Sequence, residues 1–271
     1  MISRRQVGDH ALGRLAELAC TVTGFTADAI LIDRLRAASQ ELLAACADEA
    51  ELLGRAARRD PEVLEALARA VSVGETWFFR QPEHFRYLRD HLLPGLLLDG
   101  RRALRAWSAG CASGEEAWSI AATLADSAPG VAVDVLGTDL IPGNLAAAAA
   151  GRYRAWSRRE AGPILHPIFA PGDTFITIAP ALRPLVRFER HNLLDAPPVG
   201  RFEVVFCRQV LIYFRPEAAA RAVANLASAV APGGALIFGP LDLGEAPAGF
   251  WRVDPPELQI FRRGPDGGAG A

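Results

Sequence analysis

Two stretches carry residues whose types and spacing point to chemistry. In Trp107-Ser108-Ala109-Gly110-Cys111-Ala112-Ser113-Gly114-Glu115-Glu116 an apolar run meets two glycines and then two acids. Glycines there let the backbone turn tightly and approach a ligand closely. The turn departs from G-x-G-x-x-G and lacks the Gly-Lys-Ser/Thr end of a P-loop. Glu115 and Glu116 open a helix, where carboxylates are favourable as first-turn charges in any case. The same charges would repel a pyrophosphate, whereas a ligand carrying an ammonium and a sulfonium would be attracted. That favours S-adenosylmethionine over a dinucleotide. The second stretch, 131–139, ends in Asp139, a place from which an acid holds ribose hydroxyls, in NAD folds as well. A helix-capping Asp is the other reading of that residue.

Other chemistries find little support. Cys20, Cys46, Cys111 and Cys207 lie far apart without C-x-x-C spacing, so neither a zinc site nor a disulfide framework is expected. Ser–His–Asp and paired-acid arrangements are not evident either. Among 271 residues, 29 basic residues stand against 31 acidic ones, for a net charge of −2, and every basic residue is Arg. That balance gives no reason to expect nucleic acid as a partner. The N-terminus has charges but no apolar core of an export signal, and no apolar run approaches a membrane span, so a cytoplasmic protein is expected.

The elements that must position these residues follow from periodicity. Hydrophobic residues make up 51% of the chain, enough for a sizeable core. Residues 1–70 read as helical throughout, with Leu12, Leu15 and Leu18, then Leu42, Leu43 and Cys46, then Val63, Leu64, Leu67 and Val71 at helical spacing. Asp60-Pro61 is a helix start. From residue 103 the pattern alternates: strands at 103–110, 131–139, 185–193, 202–208 and 235–239, with helices at 115–128, 144–151 and 217–231. Pro232-Gly233-Gly234 reads as a turn, and 258–263 as an added edge strand. Strands alternating with helices imply an α/β fold with a mainly parallel sheet. Two Pro-bounded pieces between Arg159 and Leu185, with a strand-like 173–178, suggest a small β-insertion, either a specificity element or a plain covering flap. The expected organisation is an all-α domain over 1–72, a linker motif and helix over 73–102, and a catalytic domain over 103–271 with its insertion at about 160–185.

Five motifs in order, Gly74-Glu-Thr-Trp-Phe-Phe-Arg80, Ala109 to Glu116, Gly137-Thr-Asp139, His191-Asn-Leu193 and Phe206-Cys-Arg-Gln-Val-Leu-Ile-Tyr-Phe214, resemble the CheR family of chemotaxis protein-glutamate O-methyltransferases. The likeness covers nearly the whole chain. It implies a Rossmann-like S-adenosylmethionine-dependent methyltransferase domain with a small β-insertion, preceded by a small all-α domain. It also implies methyl transfer to glutamates on the cytoplasmic helices of chemoreceptors, with S-adenosylhomocysteine as product, no metal and a monomeric enzyme. Carried over by position, Gly74, Thr76 and Arg80 contact the cofactor from the linker. Gly110 forms the turn, Glu115 meets the methionine end, Asp139 the ribose, and Asn192 with Leu193 the adenine. Arg208 and Gln209 line the site, and Tyr213 lies near the transferred methyl, so Tyr213 and Arg208 are the expected catalytic residues.

The chain departs from the family pattern. Gly74 and Gln209 stand where Asn is usual, Trp118 where Tyr is usual, and Gly239-Pro240-Leu241-Asp242 where Gly-His-Ser-Glu is usual. These departures leave open a non-catalytic regulator that binds S-adenosylmethionine or its demethylated product, or an enzyme of similar fold acting on another protein or small molecule. In the N-terminal domain, Arg55, Arg58 and Arg59 share a helix face, readable as a solvated surface or as a docking site for an acidic receptor helix.

Overall fold

The computed structural model describes residues 6–26, 29–159, 169–170 and 175–264. The chain divides into two compact units, one of residues 1–73 with 213–220 and the other of residues 74–212 with 221–271.

The first unit is helical. Helices α1 (Asp9–Thr23), α2 (Ala29–Ala44), α3 (Glu49–Ala57) and α4 (Pro61–Val71) enclose Leu12, Leu15, Leu35, Leu43, Leu52, Val63 and Leu67. Polar side chains start the short helices. Asp48 Oδ1 accepts from Glu51 N–H at 2.8 Å, and Asp60 Oδ1 accepts from Glu62 N–H at 3.0 Å, with Pro61 in the first turn. Such caps satisfy amides that have no intrahelical acceptor. Arg55 does not belong to a free basic face. Its guanidinium bonds Asp60 at 2.9 Å and Glu62 at 2.6 Å and joins the end of α3 to the start of α4, so only Arg58 and Arg59 of the expected trio are exposed. A segment from far along the chain completes the unit. Phe25 forms an isolated antiparallel bridge to Phe214, Thr26 N–H donates to the Tyr213 carbonyl at 2.8 Å, and Arg215 N–H donates to the Gly24 carbonyl at 2.8 Å.

The second unit opens with α5 (Pro82–Tyr87), which runs through a π-helical turn at Leu88–Leu92 into α6 (Leu93–Leu98). Then come β1 (Ala103–Ala109), α7 (Glu115–Ser127), β2 (Ala132–Asp139) and α8 (Pro142–Ala150). A small antiparallel sheet joins β3 (Arg152–Arg154), β4 (Phe169–Ala170) and β5 (Phe175–Ile178) in the order β3-β5-β4. Of the expected insertion, residues 160–168 and 171–174 lie outside the described residues. The main strands resume with β6 (Val186–Arg190) and β7 (Phe202–Cys207), followed by α9 (Pro216–Ala229), β8 (Val230–Phe238), β9 (Phe250–Arg252) and β10 (Ile260–Arg263).

The seven-stranded sheet has the order β6-β2-β1-β7-β8-β10-β9. The first five are parallel, while β10 runs antiparallel to β8 and β9 antiparallel to β10. All six residues of β7 are buried, as a strand covered on both faces requires. Pro232-Gly233-Gly234 is not a turn between elements. Phe202 pairs with Val230 and Val204 with Ala235, so the three residues bulge within β8. Gly234 is obligatory there, since a Cβ would lie 2.7 Å from the Glu203 carbonyl oxygen.

Strand order reverses direction at β1, whose neighbours are β2 and β7. The carboxyl ends of these strands flank the crevice where open α/β sheets bind ligands. Gly137 of β2 keeps that region close-packed, because a Cβ on it would meet Phe188 ring carbons at 2.6 Å. Gly137→Ala is expected to destabilise the protein by about 1–3 kcal/mol through overpacking. In urea unfolding this appears as a lower midpoint at unchanged slope.

Candidate active site

The glycine turn after β1 is fixed from beneath and from the side. Gly110 N–H and Cys111 N–H both donate to the Thr138 carbonyl at 2.8 Å, which ties the turn to the end of β2. Gly110 has φ +80° and Gly114 φ +93°, values that favour glycine. Neither has room for a side chain: Cβ atoms would approach Val210 Cγ2 to 2.7 Å and Ala148 Cβ to 2.6 Å. Ala112, between them, holds φ +46° without being glycine, and its N–H donates to Asp139 Oδ2 at 2.9 Å.

The two adjacent acids at the start of α7 have different partners. Glu116 accepts from Ser108 Oγ at 2.7 Å and pairs with Arg208 Nη1 at 3.2 Å. Glu115 accepts from Ser113 Oγ at 2.7 Å and Ser157 Oγ at 3.0 Å. Among the described residues no cationic side chain forms an ion pair with Glu115, although it is only 3% exposed. Burial pushes its carboxyl above the ordinary glutamate value. Among the described residues the charge of Glu116 is matched by an ion pair, and that of Glu115 is not.

Arg208 is buried. Besides Glu116, its Nη2 donates to the Arg80 carbonyl and to Gln81 Oε1, the latter at 2.7 Å. The nearby His84 stays neutral, its pKa pushed down to about 3 by burial and then by the Arg208 charge. The linker motif lies against α7 through Phe79 N–H, which donates to Ser119 Oγ at 3.0 Å, and against the 155–158 turn through Phe78 N–H, which donates to the Ser157 carbonyl at 2.9 Å. Arg80 stacks 4.2 Å over Trp77, and Thr76 is half-buried. A Cβ on Gly74 would sit 3.9 Å from Asn144 Nδ2, an ordinary contact, and the backbone there is not left-handed.

Both carboxylate oxygens of Asp139 are engaged within the protein. Oδ1 accepts from Ile141 N–H at 2.9 Å and from Asn144 Nδ2 at 3.1 Å, at the entry to α8, while Oδ2 holds the glycine turn. Burial raises its carboxyl as well. His191 N–H donates to the Asp139 carbonyl at 3.1 Å and brings the end of β6 alongside. Asn192 Oδ1 accepts from Leu194 N–H at 3.1 Å, and the buried Leu193 offers its carbonyl to Asn225 Nδ2 at 2.9 Å. Gln209, at the end of β7, has φ +58°. Gly74, Gly110, Glu115, Asp139, Asn192, Leu193, Arg208 and Gln209 thus stand in one unit at the carboxyl ends of its strands or on the linker motif beside them. Tyr213 belongs to the helical unit, with its ring 5.9 Å from that of Phe25. Sequence reasoning missed Ser157, Asn144 and Asp242. The first two carry no pattern, and the third stands in a motif that reads as lost.

A mainly parallel sheet with one antiparallel strand inserted near its end, a glycine turn after its first strand and unmatched acid at that turn define an S-adenosylmethionine-dependent methyltransferase of Rossmann-like fold. Residues 74–243 match the model of the CheR methyltransferase SAM-binding domain, and the chain belongs to that family. It is 35% identical over 184 residues to a chemotaxis protein methyltransferase of Listeria monocytogenes, covering 67% of this chain and 70% of that protein. With chemotaxis protein methyltransferase 1 of Pseudomonas aeruginosa the identity is 34% over 200 residues, 70% of this chain and 73% of that one. An uncharacterized 104.1 kDa protein of Rhodobacter capsulatus is 36% identical over 187 residues, 66% of this chain but only 20% of that longer protein.

The residues present fit the cofactor. Glu115 offers a buried carboxylate with no ion pair among the described residues, and the glycines let the main chain approach closely. Micromolar binding of S-adenosylmethionine and S-adenosylhomocysteine, roughly −8 kcal/mol, is expected by calorimetry, with NAD and ATP far weaker. Asp139→Ala should cost about 1.5–3 kcal/mol of that affinity. Protonating Glu115 would remove the charge available to an ammonium group. Affinity should therefore hold at neutral pH and fall on acidification, beginning above the ordinary glutamate range because burial raises this carboxyl. Glu115→Gln should weaken binding at neutral pH and flatten that pH profile.

Proposed function

We propose that the protein methylates glutamate side chains on the cytoplasmic helices of chemoreceptors, acting in the cytoplasm as a monomeric protein-glutamate O-methyltransferase. The observation that carries this reading is the unmatched Glu115 carboxylate beside the glycine turn, in a chain whose relatives are named chemotaxis protein methyltransferases. Among the described residues no helix is long and apolar enough to cross a membrane.

The chemistry asks little of the protein. A glutamate acceptor, with a pKa of about 4.3, is already ionised at neutral pH, so no base must remove a proton from it. S-adenosylmethionine, when bound, supplies a methyl on a positively charged sulfur that a carboxylate can attack in line. The protein's part is orientation and exclusion of water, effects that recover on the order of 7–11 kcal/mol of a barrier when reactants are well aligned. In this reading Glu115 takes the ammonium and Asp139 the ribose, with Asn192 and Leu193 flanking the adenine. Thr76, Arg80 and Gln209 line the remaining contacts. Tyr213 orients the acceptor carboxylate, and Arg208 holds the wall of the site through Glu116. Too tight a grip on the acceptor would stabilise the ground state, so an Arg already paired with Glu116 suits this task better than a free one. Arg58 and Arg59 remain as the cations able to meet an acidic receptor helix.

Incubation with methyl-labelled cofactor and a panel of receptor cytoplasmic domains should yield base-labile methyl ester. Clear cofactor binding with no ester on any of them would replace this reading with that of a non-catalytic sensor. Tyr213→Phe should lower turnover with little change in cofactor affinity. Gly74→Asn, which meets no steric or backbone obstacle, should tighten cofactor binding about tenfold, or 1.4 kcal/mol.

A further inference from the structure

The segment Gly239-Pro240-Leu241-Asp242 departs most from the family pattern, yet its last residue is densely bonded. Asp242 Oδ2 accepts from Gln209 N–H at 2.5 Å and Gly239 N–H at 2.8 Å, and Oδ1 accepts from Val210 N–H at 3.0 Å and Ile212 N–H at 3.3 Å. One carboxylate thus gathers most of the main-chain donors of the turn that leaves β7, together with the first donor after β8. Convergent amides of this kind hold a turn in a conformation it would otherwise leave. Gln209 needs such support, because φ +58° is unfavourable for a residue with a side chain.

The turn bears directly on the cofactor site. Val210 Cγ2 fills the space that a side chain on Gly110 would occupy, within 2.7 Å, so the position of Val210 limits that of the glycine turn. Gln209 Nε2 lies 2.8 Å and Asp242 Oδ2 2.6 Å from where a Cβ on Gly239 would stand. The three residues interlock, with glycine required at the third.

We infer that Asp242 is a positioning residue of the cofactor site: it fixes the 209–212 turn, and through Val210 and Gln209 it fixes the surface that the glycine turn and the cofactor meet. The inference rests on reading these strand ends as the S-adenosylmethionine site. The loss of His and Ser from the usual motif removes none of this, since the carboxylate at its last position is retained one methylene shorter.

The test uses the full chain, S-adenosylhomocysteine as probe and hydrogen exchange without ligand. In the wild type, the amides of Val210 and Ile212 should be protected. Asp242→Asn turns an amide NH2 toward backbone donors, so those amides should exchange faster while amides in α1–α4 are unchanged, and the dissociation constant should rise about tenfold. Asp242→Glu keeps both oxygens and should bind within about threefold of the wild type. Free exchange of the two amides in the wild type would overturn the inference without recourse to any variant. Wild-type affinity in Asp242→Asn, or equal loss in Asp242→Glu and Asp242→Asn, would overturn it while leaving the site reading intact. A wild type that does not bind the probe would overturn the site reading and this inference with it.

Discussion

Two backbone N–H groups, those of Gly110 and Cys111, converge on the single carbonyl oxygen of Thr138. This contact joins the turn after the first strand to the end of the second, and the rest of the site is arranged around it. Thr138 is in turn held by the indole of the buried Trp107, whose Nε1 donates to Oγ1 at 2.9 Å. The following residue, Asp139, reaches back to Ala112 in the same turn. Displacing the turn would break main-chain and side-chain bonds together, in a region where unsatisfied groups are costly. A rigid glycine turn is what allows close approach of a ligand to the main chain without loss of order.

The electrostatics follow from the same rigidity. Arg208 and Glu116 neutralise each other away from water, and Ser108, Gln81 and a main-chain carbonyl add further hydrogen bonds to the pair. A buried pair of this kind adds little net stability, but it fixes geometry. Glu115, one residue earlier, is desolvated, with the hydroxyls of Ser113 and Ser157 as partners and no ion pair among the described residues. Its high-energy anion is a standing preference for a cationic ligand. Two carboxylates adjacent in sequence thus do unlike work, because successive residues on a helix point about 100° apart.

Much of this was legible in the sequence, for physical reasons. The apolar runs of β1 and β2 end in Gly and acid, that of β7 stops at Arg208, and the N-terminal leucines repeat at helical spacing, so fold and strand ends could be placed. The bulge in β8 was hidden because Pro-Gly-Gly has the chemistry of a turn, and only the paired strand shows that the ladder continues across it. The three residues of β9 are too short for any alternation. In the site, Glu115 and Asp139 were readable from their positions after strands. The partner of Glu116, 92 residues away, was not, nor was Ser157, 42 residues from Glu115. Arg55 read as a surface cation because helix spacing reports a face and not what covers it. Asp242 read as part of a loss because its function lies in oxygens that bond main-chain atoms, and those are the same in every residue type.

The strand-like pairing of Phe25 with Phe214 has a consequence for how this architecture can be recombined. The helical unit is not a module that begins and ends at the front of the chain. Thr26 and Gly24 have bonding partners in Tyr213 and Arg215, and the Arg215 guanidinium also reaches the Cys20 carbonyl. The unit's last edge is therefore encoded some 140 residues downstream of its other helices. A chimera that exchanged residues 1–73 between relatives would import helices and leave that edge behind, stripping Phe25 of the aromatic neighbours it packs on. A working exchange of this unit has to carry both pieces together, although they lie far apart in the sequence.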